Sequence, residues 1–95
     1  MIEIVTFRLR TGADGERFAA LDARLQTDFF YHQPGLERRT TARSADGSYV
    51  CTLHWDGIAA ADTAAAMTTT VNEYTTELTA LIEPASISAR RYDSL

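Results

Sequence analysis

Two histidines, one tryptophan, one cysteine and nine basic residues, all arginine, carry most of the chemical reach of this 95-residue chain. His54 and His32 are the side chains whose ordinary pKa lies near neutrality, so each is a candidate proton acceptor. Neither stands at a spacing that pairs it with a carboxylate, and a lone histidine is more often a hydrogen-bonded structural residue. Tyr74 is the third candidate catalytic group, because a buried phenol seeks a hydrogen-bond partner. Phe7, Phe29, Trp55 and Met67 offer apolar and aromatic lining for a small ligand. Arg38, with Arg39, Arg90 and Arg91, offers charged donors to an anionic group or across a dimer. Each has a plainer reading beside this one. Apolar residues at helical spacing are usually core, and arginine on an edge strand is usually solvated charge. Cys51 has no basic cluster near it in sequence and reads as a small buried apolar residue.

The motifs of several reaction classes are missing. There is no glycine-rich phosphate loop, no dinucleotide fingerprint and no nucleophile elbow. No Cys/His spacing marks a zinc site, and a single cysteine excludes an internal disulfide. The expectation is therefore no metal and no cofactor. The net charge of −4 argues against nucleic acid as a partner. No apolar run approaches the roughly 20 residues that cross a bilayer, and the first residues do not read as a signal peptide. The expectation is a cytoplasmic protein with no membrane partner.

The elements that position these residues read as strand, helix, strand, strand, helix, strand. Met1 to Leu9 alternates, with apolar residues on both faces, as in a central strand covered on both sides. Asp14 is a candidate helix cap, followed by Phe18, Leu21, Leu25 and Phe29 on one helical stripe. Pro34-Gly35 stops that helix. Residues 36–43 form a polar strand, Asp46-Gly47 is a hairpin turn, and residues 49–55 return. On the return strand Tyr49, Cys51, Leu53 and Trp55 share one face, and Val50, Thr52 and His54 share the other. Residues 58–81 form a second helical region with a stripe of Met67, Val71, Tyr74, Leu78 and Leu81; a break is expected near Thr68-Thr69-Thr70. Residues 86–92 form the last strand.

This order predicts one α+β domain over residues 1–95. It is a ferredoxin-like βαββαβ fold, a four-stranded antiparallel sheet with both helices on one face. Strands 1 and 3 should be central, and the arginine-bearing strands 2 and 4 should be the edges, where charge opposes uncontrolled pairing. The sheet face away from the helices also carries apolar side chains. A second copy of the chain is the simplest cover, which predicts a homodimer.

The segments EIVTFRLRTGADGERF, QPGLERR and DGSYVCTLHWDG, the last running into an alanine-rich helix, resemble the antibiotic-biosynthesis-monooxygenase-type dimeric α/β-barrel superfamily. Gln33-Pro34-Gly35-Leu36 with the arginines after it, and the strand-ending Trp55, carry the resemblance best. It implies ferredoxin-like protomers whose sheets pair into a dimeric barrel. It also implies a small homodimeric protein, with cofactor-independent monooxygenation of an aromatic or polyketide-like small molecule as one activity. A non-catalytic ligand-binding or accessory protein with a filled pocket is the other reading. The haem-degrading members use an Asn on strand 1 and a Trp and a His on the second helix. Thr6 and Phe7 stand in that strand here, and the second helix has neither residue, so that chemistry is not expected. Trp55 matches the strand-3 tryptophan that the wider superfamily shares.

Overall fold

The computed structural model describes the backbone of residues 1–68 and 73–95 and the side chains of residues 1–67 and 76–95. Strand β1 (Ile2–Phe7) leads to helix α1 (Gly15–Asp28), a short 3-10 turn (Phe30–His32), strand β2 (Leu36–Arg43) and strand β3 (Tyr49–Trp55). Helices α2 (Ile58–Thr68) and α3 (Glu73–Leu81), a second 3-10 turn (Pro84–Ser86) and strand β4 (Ser88–Tyr92) complete it. The four strands form one antiparallel sheet in the order β2-β3-β1-β4, so the apolar strands β1 and β3 are central and the arginine-bearing strands are the edges.

Local chemistry sets the boundaries. Asp14 caps α1: its Oδ1 accepts from the backbone N–H of Glu16 at 3.0 Å and of Arg17 at 3.3 Å. The buried stripe of α1 is Phe18, Leu21 and Leu25. The expected fourth member, Phe29, is not on it. The helix ends at Asp28, Phe29 takes φ −121° and ψ −65°, and the chain tightens into the 3-10 turn, which rotates the next side chains off the α-helical stripe. At Pro34-Gly35 the turn needs glycine twice over. Gly35 has φ +83°, and a Cβ there would sit 2.5 Å from Asp56 Oδ1 and 2.6 Å from Ala60 Cβ. The β2–β3 hairpin closes through the Ser44 N–H donating to Ser48 O at 2.8 Å. The Asp46 carboxylate fills this turn, accepting from Ser48 N–H at 2.9 Å and from the Ser44 hydroxyl.

Both helical layers lie on one face of the sheet. Phe18 of α1 and Ala61 and Ala64 of α2 join Phe7, Cys51, Leu53 and Trp55 in a single buried cluster, with Leu78 and Leu81 of α3 packed against it. Small side chains on α2 let its axis approach the sheet closely. The expected break in the second helical region falls partly on Thr69 and Thr70, which lie outside the described residues, as do Val71 and the side chain of Tyr74. The other sheet face carries Ile2, Ile4, Val50 and His54, all half-buried, in the register Ile2↔His54, Ile4↔Thr52 and Thr6↔Val50. None of these residues belongs to the buried cluster.

Candidate functional site

Between the sheet and the helices lies a cavity of about 310 Å³. Val5, Phe7 and Leu53 form its floor, and Phe18, Leu25, Ala64 and Leu78 form much of its wall. Into this apolar shell the chain sets five groups with hydrogen-bonding or ionisable atoms: Glu3, Asp22, Arg39, Cys51 and Trp55. A few convergent polar groups in a mostly apolar concavity is the usual composition of a small-molecule site.

Arg39 is the most elaborately held of these. Its side chain is 5% exposed, and Nη2 lies 2.7 Å from Asp22 Oδ1. Nη1 donates to Gln26 Oε1 at 3.1 Å. The guanidinium carbon stands 4.5 Å from the centre of the Phe30 ring, a cation–π contact. Thr41 Oγ1 donates to the same Asp22 oxygen at 3.2 Å. Burying a guanidinium is costly unless a counter-charge and acceptors meet it, and here Asp22, Gln26 and Phe30 do so. One donor remains unmet: Arg39 Nε has no acceptor among the described residues.

Trp55 repeats the pattern. Its residue is 2% exposed, yet the indole Nε1–H has no acceptor among the described residues. Buried donors in folded proteins are almost always paired. Arg39 Nε and Trp55 Nε1 both carry almost no accessible surface, so protein atoms enclose them, and these two residues meet the cavity through other parts of their side chains.

Glu3 faces the cavity from β1 and is tied to the β4 edge. Arg91 Nε donates to Glu3 Oε2 at 3.1 Å, and Arg91 Nη1 donates to Asp62 Oδ1 at 2.6 Å. Asp62 first, and then Glu3, hold the Arg91 guanidinium still more firmly protonated than usual. Cys51 lies deeper. Burial raises the pKa of its thiol, with the Arg39 charge opposing, so the thiol is neutral at physiological pH.

The expected site residues divide. Phe7 and Trp55 line the cavity. His54 pairs with Ile2 and Arg38 in the sheet register and so projects from the opposite face, as does Arg38. His32 is exposed on the 3-10 turn, Phe29 is half-buried beside Phe30, and Met67 is 49% exposed; none of the three is a lining residue. The Tyr74 side chain lies outside the described residues. In two cases the neighbour in sequence takes the expected place. Phe30 lines the cavity instead of Phe29, because α1 ends before the stripe does. Arg39 lines it instead of Arg38, because of a β-bulge. Leu36 opposes Trp55 and Arg38 opposes His54, so the strand carries an extra residue at Glu37, and Leu36 and Arg39 fall on the same face. Asp22 and Glu3 had no sequence signal beyond their charge. Among the described residues, no group of three or more His, Cys, Asp or Glu is placed to hold a metal ion, and no helix is long and apolar enough to cross a membrane.

The architecture is thus a ferredoxin-like α+β protein with a ligand-sized cavity under its helices. No family model and no curated protein matches the sequence. Solved structures match over almost the whole chain. A variant of SnoaB, a cofactor-independent oxygenase from Streptomyces nogalater, is 25% identical, with 98% of this chain and 90% of that one covered and a TM-score of 0.78. The unsubstituted SnoaB is also 25% identical, covering 99% and 93% with a TM-score of 0.76. A likeness of fold alone extends to an antibiotic biosynthesis monooxygenase, 16% identical, covering 100% and 99% with a TM-score of 0.63. The chain shares the fold of these structures, the fold that the antibiotic-biosynthesis-monooxygenase-type resemblance implied.

Proposed function

We propose that this chain is a cofactor-independent monooxygenase of an aromatic or polyketide-like small molecule, bound in the cavity beneath the helices. The observation that carries this reading is a cavity of about 310 Å³ with mostly apolar walls into which Glu3, Asp22, Arg39, Cys51 and Trp55 are set. The likeness to SnoaB over nearly the full chain supports it. The substrate is its own reductant. One oxygen atom enters a carbon that loses two hydrogens, and the other oxygen leaves as water. The apolar walls orient the ring and strip its water, and the Arg39 guanidinium on the cavity wall favours negative charge as it develops on the substrate. Asp22 and Glu3 are the carboxylates in reach of the cavity as proton acceptors.

A homodimer completes the reading. The half-buried Ile2, Ile4 and Val50 on the open sheet face form an apolar surface that a second copy covers. The working compartment is the cytoplasm. The alternative, a binding protein without catalysis, is favoured by one observation: neither His32 nor His54 faces the cavity. Oxygen uptake in the presence of a panel of electron-rich polycyclic phenols separates the two. Uptake above the protein-free rate is expected. Saturable binding with no uptake across the panel supports the alternative. Light scattering at micromolar concentration checks the dimer, and a monomer mass contradicts it.

A further inference from the structure

The cavity opens at one edge of the sheet and carries a carboxylate at the other. Ala65 on α2 and Ile87 just before β4 are its exposed lining residues, which places the opening on the β4 side. Asp22 and Arg39 line it on the β2 side, three strand spacings away, roughly 14 Å. A ring that fills the space between closes the opening to water, so a proton released inside needs another way out. We propose that Asp22 is that way: its carboxylate takes the proton of the substrate's hydroxyl and exchanges it with water on the far side of α1. This deepens the reading of the cavity as an oxygenase site and rests on it.

Two concavities meet at Asp22. Beside the cavity, a groove runs between the start of α1 and the ends of β2 and β3 at their hairpin. Asp14, Glu16 and Arg43 are exposed along it, so it is open to water. Asp22 lines both spaces. Its hydrogen bonds straddle the same boundary. Oδ1 accepts from Arg39 Nη2 at 2.7 Å, and Arg39 lines the cavity but not the groove. Oδ1 also accepts from Thr41 Oγ1 at 3.2 Å, and Thr41 lines the groove but not the cavity. These two bonds pin one oxygen of the carboxylate. The other, Oδ2, has no hydrogen bond among the described residues and, unlike Arg39 Nε, is not enclosed by protein atoms. It is the oxygen free to take a proton.

Glu3, the other carboxylate on the cavity wall, has no such exit. It does not line the groove, and its Oε2 accepts from Arg91 Nε at 3.1 Å. A guanidinium keeps its protons and passes none on. The step at Asp22 is a plain proton transfer. The substrate O–H bond breaks, its electron pair stays on the ring oxygen, and the proton bonds to Asp22 Oδ2. The Arg39 guanidinium beside it favours the phenolate left behind. Water in the groove then takes the proton, which restores the carboxylate. The oxygen atom that departs as water draws one proton back by the same path, so Asp22 is unchanged over a turnover.

The test measures oxygen uptake by the full chain with 1,5-dihydroxynaphthalene, corrected for the protein-free rate. It is run at about pH 7, where the hydroxyls are protonated, and at about pH 10.5, where an ordinary phenol ionises unaided. Asp22→Asn keeps an acceptor for Arg39 and Thr41 but takes no proton. It should lose about 100-fold in kcat at the lower pH, with KM within about threefold, and come within about threefold of wild type at the higher pH. Damage to structure alone would not recover when the substrate ionises. Thr41→Val leaves the Asp22–Arg39 pair and removes one of the two bonds that pin Oδ1. It should lose about fivefold at the lower pH and recover in the same way. Glu3→Gln alters the cavity wall without touching the proton, so its fractional loss should be the same at both pH values. Should Asp22→Asn fail to fold, Thr41→Val and Glu3→Gln decide. Full activity of Asp22→Asn at the lower pH, a loss that persists at the higher one, or recovery confined to Glu3→Gln would each overturn the inference while wild-type turnover upholds the oxygenase reading. Wild-type uptake no faster than the protein-free rate would overturn both.

Discussion

Arg39 Nη2 lies 2.7 Å from Asp22 Oδ1, with side chains 5% and 17% exposed. This pair crosses from β2 to α1 and fixes both the cavity wall and its charge. Removing one partner leaves the other buried without its counter-ion, which is far more damaging than losing a surface ion pair. Asp22→Ala should destabilise the chain by on the order of 3 kcal/mol, and Asp22→Asn by about half that, because the amide still accepts from Arg39. Urea unfolding followed by Trp55 fluorescence measures both. Equal, small losses would mean that the pair is effectively solvated.

The Pro34-Gly35 turn gives a sharper comparison. Gly35 combines φ +83° with contacts of 2.5 Å and 2.6 Å at a virtual Cβ, whereas Gly47 has φ +89° and nothing within 4 Å. Gly35→Ala should cost roughly 2–4 kcal/mol, from strain plus displacement of Asp56 and the α2 start. Gly47→Ala should cost about 1–2 kcal/mol, from strain alone. Thermal unfolding of the two variants side by side gives the difference.

These two turns also show how much of the fold and site was legible in the residues. The hairpin at Asp46-Gly47, the Asp14 cap, the strand faces of β3 and the order of strands followed from local chemistry and alternation, and the structure has them all. The cavity's place under the helices followed from the fold. Which arginine enters it did not. Strict alternation from Leu36 puts Arg38 on the helix face, and only the extra residue at Glu37 turns Arg39 there instead. Phe29 failed for a related reason: a helical stripe predicts facing only while the helix lasts, and α1 stops at Asp28. The Asp22–Arg39 pair spans 17 positions and two elements, so no spacing rule announces it.

Asp46 provides a pH test. The hydroxyl of Ser44, the backbone N–H of Ser48, the Ser48 hydroxyl and the Arg8 charge hold its carboxyl well below the usual carboxylate range. A folded value below the unfolded one means that the turn's contribution is fully present above the ordinary Asp pKa. It is lost as pH falls through the lower folded value. Asp46→Asn should therefore flatten the acid limb of the stability profile below about pH 4, with little change at neutral pH beyond the lost hydrogen bonds. An NMR titration of the Asp46 carboxyl that gives an ordinary value contradicts this.

Cys51 reports on the cavity from beneath. Its thiol is buried and its pKa raised, so a disulfide reagent such as DTNB should react with native protein at least about tenfold more slowly than with unfolded protein. The native rate should still be rising with pH above 8.5, where an ordinary thiol begins to level off. A saturating small aromatic ligand of the cavity should slow it further, because Cys51 lines that cavity. Fast reaction unaffected by such a ligand would mean that the thiol is reached from elsewhere.

The central claim is that this cavity uses molecular oxygen on a substrate that supplies its own electrons. Isotope labelling tests it most directly. The purified chain is incubated under 18O2 with electron-rich polycyclic phenols and no added metal, flavin or nicotinamide, and the products are weighed by mass spectrometry. The account predicts one 18O atom in the product, formed faster than without protein. Turnover no faster than the protein-free control, or product oxygen drawn only from water, would contradict it.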